Sequence, residues 1–248
     1  MSAQNLDRGQ VKEFLDALET RLREHLRRDV QYKAKSVAQQ VIEIQKDAAA
    51  SKDKAKAHLK QPEAAFLNTW VAPAIHDTLI ANTNSEKEAR ELLLAESYKA
   101  LAGISSGPAA RPLAFPFEKK MKVSDRAIYD RWTRKKEEQP FKQPYPDLAI
   151  RAPYGIVFEG KYFRSGSQDY AERQLVTVIH EALFYLGVPE VEARGRTWSY
   201  RYACLVAFDA STDDALLGAW NRLKDVRQKF WECANLKVIL IGEPEIAG

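Results

Sequence analysis

The chain of 248 residues has only two cysteines, Cys204 and Cys233, too few for a disulfide framework or a four-cysteine zinc site. Cys204 lies in an apolar run and Cys233 beside Trp231, so both are expected as buried free thiols. Long apolar runs are missing too: none approaches the roughly 18 residues a membrane helix needs, and no apolar signal core is expected near the N-terminus. The four histidines, His25, His58, His76 and His180, are scattered, and none joins a cysteine at a zinc spacing. There is no P-loop and no dinucleotide fingerprint. Nucleotide-driven motor work and hydride transfer therefore lack their parts. Neither sign of charge dominates, with 38 Lys and Arg against 34 Asp and Glu. The resulting pI near 8.9 permits a polyanionic partner without demanding one. The expectation is a reduced, cytoplasmic protein with no membrane contact.

What is present is enough apolar material for a sizeable core, 45% of residues against 29% charged. Up to about residue 105 the pattern is helical. Val11, Phe14, Leu15, Leu18, Leu22, Leu26 and Val30 recur at steps of three and four, and Val37, Val41, Ile44 and Ala48 continue in the same style. Residues 49–60, with lysines at 52, 54, 56 and 60, read as an exposed helix end or basic connector. Pro62 opens a third helix bearing Phe66, Leu67, Trp70, Val71, Ile75 and Leu79, which Pro73 is expected to kink. Ser85, with Glu88 three residues on, opens a fourth helix over 86–102.

Beyond Gly107 and Pro108 the pattern turns to strands. Residues 113–123 read as a first strand, and 124–143 are charged. Pro144 and Pro146 force an extended chain into a strand over 147–150, Pro153-Tyr154-Gly155 is turn chemistry, and 156–163 is a strand. Ala171, Leu175, Val178, Ile179, Ala182 and Leu186 share one face of a long helix closed by Gly187. Residues 200–209 alternate as a strand, and a helix over 213–231 and a strand over 236–241 follow. The short connection makes 147–150 and 156–163 antiparallel, whereas the intervening helix makes 156–163 and 200–209 parallel. The expected fold class is α/β (α+β): a mixed β-sheet core flanked by helices over 86–248, preceded by an all-helical N-terminal region over 1–85.

Three charged groups fall on the expected antiparallel pair: Asp147, Glu159 and Lys161. Side chains alternate along a strand, so Glu159 and Lys161 leave the same face. Charges in so apolar a strand cost free energy unless they are paired or bind a metal. Asp147 begins the neighbouring strand, so the two carboxylates can converge. Paired carboxylates suit Mg²⁺, which takes oxygen ligands and keeps waters that a substrate phosphate can replace. The carbonyl of Gly160 offers a further ligand, and Lys161 is placed to orient an attacking water and to stabilise charge developing on a phosphate. The plainer reading of the same residues is a cap at Asp147 and a solvated strand pair at Glu159 and Lys161.

Pro146-Asp147, eleven further residues and then Glu159-Gly160-Lys161 resemble the PD-(D/E)xK signature of restriction-like nucleases. The order of elements over roughly 86–242 is similar as well; the N-terminal helices lie outside the resemblance. The resemblance implies a restriction-endonuclease-like fold and Mg²⁺-dependent hydrolysis of phosphodiester bonds in double-stranded DNA, leaving a 5′-phosphate. It makes Asp147 and Glu159 metal ligands and Lys161 the catalytic lysine. The likeness is greatest to a type II restriction endonuclease acting as a homodimer. A repair or phage-defence nuclease specific for DNA structure or modification is one alternative, and a non-catalytic nucleic-acid-binding protein on the same fold is another. In this superfamily a third acid often comes from the preceding helix. Glu91, about one turn from Leu94 and two from Tyr98, is the expected residue, with Glu88, Glu96 and Glu118 in competition. Gln168 opens the crossover helix, but Glu172 stands where some repair nucleases carry the tyrosine of a Gln-x-x-x-Tyr pattern.

Basic and aromatic residues furnish an expected DNA surface. Arg131, Arg134, Lys135 and Lys136 surround Trp132, and Arg194, Arg196 and Arg201 lead into a core strand. Loops at strand ends can present such side chains to phosphates or guanine edges.

Overall fold

The computed structural model describes residues 5–95, 146–187, 191–193 and 196–247. Helix α1 (Arg8–Lys33) starts at Asp7, whose carboxylate accepts the Gln10 N–H at 2.9 Å while Gln10 Oε1 accepts the Asp7 N–H at 3.0 Å. This reciprocal cap satisfies donors that the first turn leaves unpaired. Its buried stripe is Val11, Phe14, Leu15, Leu18, Leu22 and Leu26, as the spacing predicts. Ser36 and Gln39 repeat the device for α2 (Val37–Ala50). The lysine-rich segment that follows closes α2 and then forms a 3₁₀ turn over Lys54–Lys60.

Helix α3 (Pro62–Phe66) continues through a π-helical stretch (Leu67–Val71) into α4 (Ala72–Thr83). Pro73 gives the physical reason for the wide turn. It has no N–H to return to the preceding turn, and the wider spacing, with the Ala72 N–H on the Leu67 carbonyl, carries the chain past it. Helix α5 (Glu86–Leu92) is capped by Ser85, which accepts the Glu88 N–H at 3.2 Å. It is shorter than the expected 86–102. Leu92, Leu93 and Leu94 are all buried, and consecutive buried residues suit a strand covered on both faces better than a one-sided helix. The chain accordingly enters β1 (Leu93–Ala95), antiparallel to β2 (Leu148–Ile150). The strand expected over 113–123 and the charged 124–143 segment lie outside the described residues.

In the open main sheet β1, β2, β3 (Ile156–Phe163), β6 (Tyr202–Asp209) and β7 (Leu236–Gly242) lie side by side in that order. Strands β3, β6 and β7 are parallel, and β2 is antiparallel to β3 with Leu148 opposite Phe158. Helix α6 (Gln168–Leu186) connects β3 to β6, and α7 (Ala215–Cys233) connects β6 to β7. A two-stranded ribbon, β4 (Val191–Ala193) with β5 (Arg196–Trp198), occupies a segment expected as loop, and α8 (Glu243–Ala247) follows β7. Asp209, fully buried, accepts the Leu216 and Leu217 N–H groups at 2.8 and 3.0 Å and so caps α7.

One cluster of buried apolar residues runs from Val11 to Ile246, joining the N-terminal helices to the sheet. Polar ties reinforce it. Glu243 accepts the Val37 and Ala38 N–H groups, and Lys237 meets Asp16 and Glu19 of α1 at 3.0 and 2.8 Å. Cys204 is buried as expected, but Cys233 is exposed at the end of α7. Among the described residues no helix is long and apolar enough to cross a membrane.

Candidate functional site

The β2–β3 register, extended by one residue, sets Asp147 opposite Glu159. The Gly160 N–H donates to Asp147 Oδ2 at 2.7 Å. Here β2 no longer covers β3, so N–H groups on that edge of the strand need other acceptors. Asp147 serves Gly160, and Glu63 of α3 accepts the N–H of Tyr162 two residues on.

The Glu159 side chain is buried against α6. The hydroxyl of Tyr185 donates to it, and the buried phenol of Tyr200 lies close by. Desolvation pushes the Glu159 carboxyl well above the usual carboxylate range, and the negative charges of Asp147 and Glu181 push it further. Asp147 and Glu159 come within hydrogen-bonding reach of each other. Two carboxylates have no donor to offer, so only a shared proton or a cation makes that meeting favourable. Oε1 of Glu159 is buried with no hydrogen-bond partner among the described residues.

Gly160 faces the N-terminal helices, where a Cβ would stand 2.6 Å from Leu67 Cδ2. Lys161 leaves β3 on the face that carries Glu159, and its Nζ ends 3.7 Å from Glu63 Oε2. Burial pushes the Glu63 carboxyl up, partly offset by the Lys161 charge and the Tyr162 N–H. Glu63 and Tyr185 are the participants that sequence reasoning missed. Glu63 follows Pro62 in a first helical turn, where an acid is commonplace beside the positive helix end, and nothing in the sequence marks it out. Tyr185 carried a signal. Steps of four and three from Val178 through Ala182 reach residue 185, which is buried, while Leu186 is only half-buried.

Glu91 does not join the cluster. With α5 ending at Leu92, Leu94 stands on β1 rather than on a helical face and Tyr98 lies outside the described residues, while Glu91 lies 3.4 Å from Arg151 Nη2. Arg151 follows the far end of β2, about 13 Å of extended chain from Asp147. Glu88 is exposed in the first turn of α5, and Glu96 and Glu118 lie outside the described residues. Gln168 turns toward α7, where Arg222 donates to it and Gly218 lies against it. Arg131, Arg134, Lys135, Lys136 and Arg194 are outside the described residues, and Arg196 is on β5. Arg201 is exposed just before β6, its N–H on the Gly155 carbonyl at 2.8 Å, at the opposite end of β3 from Lys161.

Among the described residues no three His, Cys, Asp or Glu side chains gather as a metal cage. The chain's own share is two carboxylates and one carbonyl. N–H and C=O of one strand residue point to the same side, so the Gly160 carbonyl shares the edge that Asp147 occupies. An all-oxygen set with one orphaned buried oxygen fits a hard divalent cation that keeps several waters. Comparisons with known protein families, with curated proteins and with solved structures find no match to this chain.

Proposed function

We propose that this chain is a Mg²⁺-dependent endonuclease that hydrolyses double-stranded DNA on a restriction-endonuclease-like core, in the manner of a type II restriction endonuclease. One observation carries the reading. Asp147 and Glu159 come within hydrogen-bonding reach of each other, and Oε1 of Glu159, two residues before Lys161, is buried with no hydrogen-bond partner among the described residues. Asp147, Glu159 and the Gly160 carbonyl would hold the cation. Bound there, Mg²⁺ supplies positive charge against the scissile phosphate and favours ionisation of the attacking water. Lys161 presents an ammonium that can hold that water in line and offset the negative charge gained at phosphorus. Glu63 holds that ammonium at the edge of β3, and the 3′ oxygen departs to leave a 5′-phosphate. Each chain offers one such site, and a double-strand break needs two cuts, so two copies are proposed to act together as a homodimer.

A supercoiled plasmid incubated with the full chain and Mg²⁺ tests the reading. Discrete fragments are expected, and Asp147→Ala and Lys161→Ala should abolish them while leaving the circular dichroism spectrum unchanged. Normal cutting by either variant refutes the site. Smearing or branch-dependent nicking points to a repair or phage-defence nuclease. DNA binding without cleavage points to a non-catalytic binding protein.

A further inference from the structure

Helix α6 does more than cover the sheet. Its buried stripe of Ala171, Leu175, Val178, Ile179 and Ala182 ends in Tyr185, 5% exposed, so the last inward residue of an otherwise aliphatic face is a phenol. A buried tyrosine hydroxyl needs a partner, and this one donates to the Glu159 carboxylate. Glu159 has three rotatable bonds between its backbone and its charge. With one oxygen tied to Tyr185, the other is the buried Oε1 that finds no partner among the described residues, and Asp147 approaches from β2. We infer that Tyr185 is a positioning residue that fixes the Glu159 carboxylate with one oxygen turned out for a divalent cation.

The chemistry of the pair supports this. A phenol is a hydrogen-bond donor at neutral pH. Groups that orient a metal-binding side chain in this way are typically worth ten- to a hundredfold in metal affinity. The inference rests on the carboxylate-pair reading above, and its test separates the two.

The full chain, without DNA, is titrated with Mg²⁺ alone in a calorimeter, and Asp147→Asn and Tyr185→Phe are titrated beside it. Both variants are expected to bind Mg²⁺ more weakly, Tyr185→Phe by about tenfold to a hundredfold. Cleavage by Tyr185→Phe should recover most of its kcat at raised Mg²⁺, which a merely structural defect would not do. If Asp147→Asn loses affinity while Tyr185→Phe binds as the wild type does, the role of Tyr185 is overturned and the carboxylate pair stands. If neither variant differs from the wild type, the pair itself fails and Tyr185 with it. Tyr185→Met, which fills the site without a donor, replaces the phenylalanine variant should that one not fold.

Discussion

Replacing Glu159 with glutamine should make the cation-free protein more stable, although Glu159 is one of its proposed working groups. Glutamine has the same shape, still accepts from Tyr185, and turns an N–H₂ toward Asp147 where the wild type sets acceptor against acceptor. Two like charges about 4 Å apart repel by about 4 kcal/mol at an effective dielectric near 20. Glu159 escapes part of this by keeping a proton, so the variant should gain about 1–3 kcal/mol, or about 2–10 °C in Tm. The sign with pH follows from the raised carboxyl. The unfolded chain ionises this group near about 4.3, the folded chain only at higher pH because of desolvation and then Asp147. Wild-type stability from this group is therefore fully present below the unfolded value and is lost as pH rises through the folded one. The variant has no such group. In chelator, the Tm difference measured by scanning fluorimetry should widen from about pH 5 to about pH 8. Mg²⁺ should then raise the wild-type Tm and leave that of the variant unchanged. A Glu159→Gln protein less stable than wild type in chelator at about pH 8 refutes the reasoning.

Three further outcomes are expected. Glu63→Ala should lower kcat for plasmid cleavage by about tenfold to a hundredfold while calorimetric Mg²⁺ affinity holds; an unchanged kcat reduces Glu63 to a cap on β3. Asp209→Ala strands the donors of Ser211, Leu216 and Leu217 and should cost about 3 kcal/mol in urea unfolding, with a loss below about 1 kcal/mol showing that α7 does not need this cap. Cys233 is exposed, while Cys204 is buried with its thiol pushed up by desolvation. Ellman's reagent should therefore titrate one thiol promptly and the other only on unfolding, and two prompt thiols would contradict the burial of β6.

Local patterns announced the elements whose burial is one-sided or whose ends are capped. The α1 stripe and the Ser167–Gly187 frame of α6 follow from periodicity and cap chemistry, and the apolar run between turn residues marks Ile156–Phe163, which is buried on both faces. Tertiary context decided the rest. Leu92 to Leu94 fit a helical stripe and a doubly covered strand alike, and pairing with β2 selects the strand. That choice removes Glu91 from the site. The convergence of Asp147 and Glu159 was legible because a tight hairpin leaves few registers, whereas Glu63 lies some 100 positions upstream of Lys161 and is delivered by helix packing that no short-range pattern encodes.

Leu67 is the first residue of the π-helical stretch, and its side chain fills the space behind Gly160 that any Cβ would claim. The widened turn and the bare glycine are thus a tooth and its socket. Pressure on the front of β3 is met by a leucine seated directly behind, so the accuracy of the strand is inherited from a distant stretch of helix. Any remodelling of this chain would have to leave that joint alone and work through its margins.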